Sequence, residues 1–233
     1  MPRRPGRASG RFVFHVLNRA VQNVVIFRSP DEYTQFLGLT AQAATRFGVR
    51  ILAYCIMPNH WHIVVWPQSD DGLSRFMHWL TGTHAQVWRA AHESTGRGAV
   101  YQGRFKAIAV QCDRHFLILC RYVERNAVRA RLVERAQDWE WCSASPLAVH
   151  PERPRISPWP VPRPVGWVLY LEEELFDKSV ARIRAAIQRG EHFGDEPWRK
   201  EVRQVLSWRS GEGPGRHWGS PAQETQDDFV IGI

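Results

Sequence analysis

The sequence predicts an α+β fold, an antiparallel four-stranded sheet in the split βαβ arrangement, with two helices on one face and a further helix left to cover the other. Three observations carry this. Hydrophobic periodicity switches between two and 3.6 in the order β, α, β, β, α, β, α. The second and third strands are separated only by Pro58 and Asn59, which forces them to be antiparallel neighbours. Capping residues and glycines stand where the helices should begin and end.

The first strand is RFVFHVLNR, Arg11 to Arg19, which alternates apolar and polar residues. Ser29 then offers a cap, Pro30 a first turn, and Asp31 and Glu32 negative charge at the positive end of a helix dipole. The helix that follows repeats Tyr33, Phe36, Leu37, Thr40, Ala43, Ala44 and Phe47 on one side and stops at Gly48. Val49 to Met57 and His60 to Trp66 form the hairpin. A second helix runs from Leu73 through Phe76, Met77, Leu80, Val87, Trp88 and Ala91, weakened at Gly82 and closed near Gly96 to Gly98. Phe105 to Gln111 is the fourth strand, and Asp113 caps a third helix reaching about Asn126.

Seven prolines between 146 and 164 exclude helix and central strand and mark a linker, 146–165, after a main domain of residues 11–145. Beyond it, residues 166–233 are expected to add a helical extension. Asp177 to Arg189 and Glu196 to Trp208 form its helices, with a polar tail from about 210 and a basic leader over 1–10 both expected to be disordered.

Composition narrows the function. The chain has 233 residues and a net charge of +8, and residues 1–146 carry 19 Lys and Arg against 10 Asp and Glu, so the excess lies wholly in the leader and the main domain. Nearly all of these cations are arginine, whose planar fork suits phosphates and bases, so a nucleic-acid partner is expected. No apolar run is long enough to span a membrane or to act as a secretion signal, which points to the cytoplasm. The four cysteines have no paired spacing, which excludes a disulfide framework and a zinc ribbon.

Two constellations can carry chemistry. His60 and His62 stand two apart on a strand and project from one face, so they can share an ion, while Trp61 points to the other. The same spacing also suits histidines that merely hydrogen-bond at a strand end. Tyr122 and Asn126 stand four apart on the third helix and share a face, offering an oxygen nucleophile and a neutral oxygen ligand. A core tyrosine and a helix-capping asparagine would give the same pattern.

The segments YCIMPNHWHIVVWP at 54–67, YQGRFK at 101–106 and RYVERNAVRARLV at 121–133 resemble the REP-associated tyrosine transposases of the single-tyrosine HUH endonuclease superfamily. Three motifs in the right order, over roughly residues 10–150, make the resemblance specific. It implies a ferredoxin-like catalytic domain, a Mg²⁺ or Mn²⁺ ion on His60 and His62 with Asn126 as third ligand, and Tyr122 as nucleophile. It also implies action on single-stranded or hairpin DNA from repetitive extragenic palindromes, in the nucleoid, by a monomer, although close relatives are dimers. The family usually has proline after the asparagine, and here Ala127 follows, so the helix is free to run on.

Arg104 and Lys106 flank Phe105 on one strand face, and Arg121, Arg125 and Arg129 recur along the third helix; these five are the candidate DNA contacts. Two rival readings use the same residues. One is a hairpin-binding protein that no longer cuts. The other is a zinc hydrolase with Cys55 beside His60 and His62.

Overall fold

The structure, a computed structural model, describes residues 10–93, 98–173 and 176–206. Its elements are β1 (Val13–Arg19), α1 (Pro30–Phe47), β2 (Val49–Met57), β3 (His60–Pro67), α2 (Gly72–Ala91), β4 (Lys106–Val110), α3 (Arg114–Glu124), α4 (Asn126–Arg129), α5 (Trp167–Glu172), α6 (Asp177–Arg189) and α7 (Glu196–Leu206). The four strands form one sheet in the order β2-β3-β1-β4, with every pairing antiparallel. This is the split βαβ arrangement expected.

The local signals work as their chemistry requires. Ser29 and Glu32 make a reciprocal capping box at the start of α1, and Gly48 ends the helix at φ 61°, a left-handed conformation that glycine adopts without a side-chain clash. Asp113 accepts from the His115 amide at 2.7 Å and so caps α3. Asn126 does not simply continue α3. The chain turns at Arg125 (φ −90°, ψ 8°) and resumes for one turn as α4, so the helix runs on past Ala127 with a break before it.

The register divides the sheet into two faces. Phe14, Val16, Tyr54, Ile56, Trp61, Ile63 and Val65 lie beneath α1 and α2, packed with Phe36, Leu37, Phe76, Met77 and Leu80. Val13, Leu17, Cys55, Met57, Val64, Ile108 and Val110 face α3, with Phe116, Leu119, Cys120, Tyr122 and Val123. Each fully buried large apolar side chain contributes roughly 1.5–3 kcal/mol. Across the second face one row reads Cys55, His62, Leu17, Lys106 through the cross-strand pairs. Its alignment places β1 residues beside the histidine pair.

Residues 146–164 contain a 3-10 turn, Pro146–Ala148, but no α-helix or named strand. They are nonetheless packed. Trp159 donates to the Leu52 carbonyl at 2.8 Å and meets Phe116 edge-on. The extension continues the second core, since Trp167, Leu171, Ile183, Ile187 and Phe193 belong to the cluster around α3. Helix α6 keeps its expected bounds, and the short α5, which the sequence reading lacked, begins after Gly166 at φ 72°.

The downstream chain also reaches both outer strands. Phe193 donates to the Ala109 carbonyl at 2.8 Å and accepts from the Gln111 amide at 2.9 Å, along β4. On β2, Ser157 donates to the Ile51 carbonyl at 2.8 Å and Ile56 donates to the Trp141 carbonyl at 3.0 Å. Among the described residues no helix is long and apolar enough to cross a membrane. Most of the basic leader, part of the expected Gly96 to Gly98 stop, Trp208 and the polar tail lie outside the described residues.

Candidate active site

The site lies between the α3 face of the sheet and the α3–α4 break. Strand β3 places His60 and His62 on this face, with ring centroids 5.1 Å apart and planes at 84°. Asn59 Oδ1 lies 2.6 Å from His60 Nδ1, and because an amide oxygen only accepts, the proton is on Nδ1 and the lone pair on Nε2. That is the tautomer a metal ligand needs.

His15, on the neighbouring strand, places its Nε2 2.9 Å from His62 Nδ1, with the rings stacked at 5.1 Å. When His62 donates in this bond, its Nε2 carries the lone pair, and that atom is buried with no hydrogen-bond partner among the described residues. Burial, followed by the charge of Arg129, holds His15 down at about 3. Burial, Arg19 and Arg129 hold His60 at about 3, and burial together with neighbouring imidazoles and arginines holds His62 well below the ordinary range. All three rings are therefore neutral at physiological pH, which is the ligating state.

Helix α3 brings Tyr122 over these rings. It is 1% exposed, and its ring lies 6.1 Å from His62 and 6.4 Å from His15, edge-on to both. Asn126 follows one turn later across the break, buried, with its Nδ2 atom unpartnered. The guanidinium of Arg129 joins the two: Nη2 donates to Asn126 Oδ1, Nη1 donates to the Tyr122 carbonyl at 2.8 Å, and Cζ lies 3.9 Å from the Tyr122 ring centre. The structure thus brings His60, His62, Tyr122, Asn126 and Arg129 together.

The other candidate cations are placed differently. Lys106 is exposed at the start of β4, in the same row as His62, and Arg104 is exposed just before it. Arg121 and Arg125 do not face solvent beside Tyr122, being only 5% and 8% exposed. Arg121 donates to the Glu173 carbonyl and Arg125 to the Leu171 carbonyl. Glu124, between them, accepts from Trp167 Nε1 at 2.6 Å and from Ser143 Oγ at 2.6 Å. These residues fasten the helix bearing Tyr122 to α5. Desolvation drives buried cations onto carbonyl partners, and the extension supplies those carbonyls.

Two residues of the site escaped the sequence reading. His15 lay hidden in an apolar alternation, although its parity with Val13 and Leu17 put it on the face that β3 shares. Arg19 closes β1 opposite His60, and its charge acts on both His60 and His62.

The donor set of two neutral imidazoles and an amide oxygen fits a divalent ion that accepts nitrogen and oxygen ligands. Cys55 is buried opposite His62 with its thiol directed to Met57 Sδ at 3.7 Å. Among the described residues no three His, Cys, Asp or Glu side chains are grouped to hold a metal, which leaves the zinc hydrolase reading without its ligand set.

The family profile described as "Transposase IS200 like" matches residues 10–126, from the start of the sheet to Asn126. The chain belongs to the IS200-like transposase family. The resemblance drawn from the three sequence motifs, to REP-associated relatives within it, agrees with this membership. No curated protein matches. Among solved structures, the chain is similar to a REP-associated tyrosine transposase bound to a REP hairpin, at 16% identity and TM-score 0.49, over 69% of this chain and 95% of the other. It is also similar to a putative transposase from Deinococcus radiodurans R1, at 14% identity and TM-score 0.38, over 48% of this chain and 88% of the other.

Proposed function

We propose that this transposase-family protein cuts and rejoins single-stranded DNA at or near palindromic hairpins, with Tyr122 as nucleophile and a Mg²⁺ or Mn²⁺ ion held by His60, His62 and Asn126. The observation that carries the reading is the packing of the Tyr122 ring against His62, beside a neutral, correctly tautomerised His60. An ion there would offset charge building on the non-bridging oxygens of the phosphodiester. His60 and His62 supply lone pairs to it, and His15 orients His62 from behind.

Tyr122 Oη attacks phosphorus and its bond to the 5′ phosphate forms as the bond to the 3′ oxygen breaks. The phenolic proton is lost and the departing 3′ oxygen gains one, leaving a 5′-phosphotyrosine and a 3′ hydroxyl. Because one phosphate diester replaces another, the 3′ hydroxyl of a second strand can reverse the step and rejoin DNA without ATP. Lys106, Arg104 and Arg129 hold the phosphates of the strand being cut. The excess of arginine in residues 1–146 supports a polyanionic partner, and the sequence resemblance supports a hairpin.

The test is covalent capture. A labelled single-stranded oligonucleotide carrying a hairpin, incubated with protein and Mn²⁺, should give an adduct that survives denaturation and maps to Tyr122 by mass spectrometry. Tyr122→Phe retains the ring and should bind the hairpin normally with no adduct. Adduct on another residue, or cleavage by the Phe variant at the wild-type rate, overturns the assignment. Tight binding without cleavage by the wild-type protein would instead favour a hairpin-binding protein that no longer cuts.

A further inference from the structure

Asn126 is the oxygen donor of the proposed ligand set, yet its Oδ1 already accepts from a cation. Arg129 Nη2 donates to that oxygen, while Nη1 donates to the Tyr122 carbonyl at 2.8 Å and Cζ lies over the Tyr122 ring, 3.9 Å from its centre. The guanidinium is therefore seated by three contacts, and two of them are with the nucleophile. Its charge also reaches all three imidazoles, since it acts on His15, His60 and His62. A single positive charge thus stands in the corner of the site where a divalent ion would add two more.

We propose that Arg129 is an exchangeable internal cation, whose guanidinium holds Asn126 Oδ1 and covers Tyr122 until a divalent metal ion takes that oxygen, so that metal binding and departure of Arg129 from Asn126 are one event. This rests on the metal reading given above. Two cations cannot share one buried amide oxygen at contact distance without strong repulsion in a medium of reduced dielectric. Arg129 lies near the end of α4, a single-turn helix followed by Arg131 at φ 55°, so its side chain can leave without unwinding α3. The exchange would uncover the Tyr122 ring only when the ion is present. The guanidinium would then be released next to the place where a phosphodiester must lie, and its paired donors suit phosphate oxygens.

The decisive property is the sign of the effect on metal affinity. A residue that merely supports the site should weaken metal binding when removed, whereas a competing cation should strengthen it. Mn²⁺ is titrated into the full chain, without DNA, and free ion is followed by electron paramagnetic resonance or heat by calorimetry. Arg129→Gln, which keeps a hydrogen-bond donor and removes the charge, should bind Mn²⁺ on the order of tenfold tighter than wild type or more. Arg129→Lys, a more conservative change that keeps the charge but loses the paired fork, should fall between them, and this ordering serves where the Gln variant folds poorly. Equal or weaker Mn²⁺ affinity in a folded Arg129 variant, with wild-type protein that binds the ion, overturns the exchange and leaves the metal reading standing. Undiminished Mn²⁺ binding by His62→Ala, or no Mn²⁺ binding by the wild-type protein and the Arg129 variants alike, overturns the metal reading and the exchange with it.

Discussion

The two faces of the sheet bury their histidines differently. Beneath α1 and α2, Trp61 Nε1 donates to Tyr101 Oη at 3.1 Å and Tyr101 Oη lies 2.7 Å from His84 Nδ1, where it donates to the neutral ring. That chain is closed, and the rings around it, Phe27 and Phe36, pack directly against His84. Beneath α3, His15 Nδ1, His62 Nε2 and Asn126 Nδ2 are buried without hydrogen-bond partners among the described residues, and a guanidinium lies over a tyrosine ring among them. On the first face this hydrogen-bond chain closes within the protein, and on the second several buried polar atoms have no hydrogen-bond partner among the described residues.

Neighbouring residues on β3 give the sharpest way to break this contrast. His62→Ala should reduce DNA adduct formation to background at any Mn²⁺ concentration, whereas Asn126→Ala should recover part of it at raised Mn²⁺, since water can occupy its position. Full activity of both variants in the presence of chelator would make the second face structural like the first. Trp61, one residue away, should behave in the opposite sense. Trp61→Ala empties a fully buried site and should cost about 3–5 kcal/mol in denaturant unfolding. Adduct formed per folded molecule should stay near wild type, and a loss of adduct larger than the loss of folded protein would tie the two faces together. Tyr101→Phe opens the closed chain and should cost about 1–3 kcal/mol, with Mn²⁺ affinity unchanged.

The smallest effect is on pH dependence. Burial holds His84 at about 3, while an unfolded histidine titrates near about 6.5. The folded state thus refuses a proton that the unfolded chain accepts. This contribution is complete above about pH 6.5 and is lost progressively as the pH falls toward about 3, at up to about 1.4 kcal/mol per pH unit. His84→Gln keeps an acceptor for Tyr101 and should flatten the decline in the urea midpoint across that window by one proton's worth. An unchanged slope would mean that His84 already exchanges protons in the folded state.

The order of elements was legible because each boundary has a local cause: the capping box at Ser29, the left-handed turn at Gly48, the cap at Asp113. The shared face of His60 and His62 was legible from strand parity alone. Tyr122 and Asn126 could be paired by helical spacing, but the break at Arg125 that turns α4 could not, because no glycine or proline marks it and the Leu171 carbonyl that meets Arg125 lies far along the chain. His15 was invisible for a different reason. Its place beside His62 depends on the register in which Leu17 stands opposite His62, a contact between positions far apart in sequence. Likewise Arg121 and Arg125 read as DNA contacts because helical spacing does not reveal that the Glu173 and Leu171 carbonyls return to meet them.

The strands that border the sheet have a consequence for assembly. Residues 192–194 run along the end of β4, and the stretches around Trp141 and Ile156 run along β2, so main-chain groups of Ala109 and Gln111 on one margin and of Ile51, Tyr54 and Ile56 on the other are already satisfied. An open margin is a template on which another polypeptide can add a strand. At these positions a second copy could not add a strand without first displacing the protein's own downstream chain. Where these segments lie, another protomer meets the downstream chain before it meets the sheet.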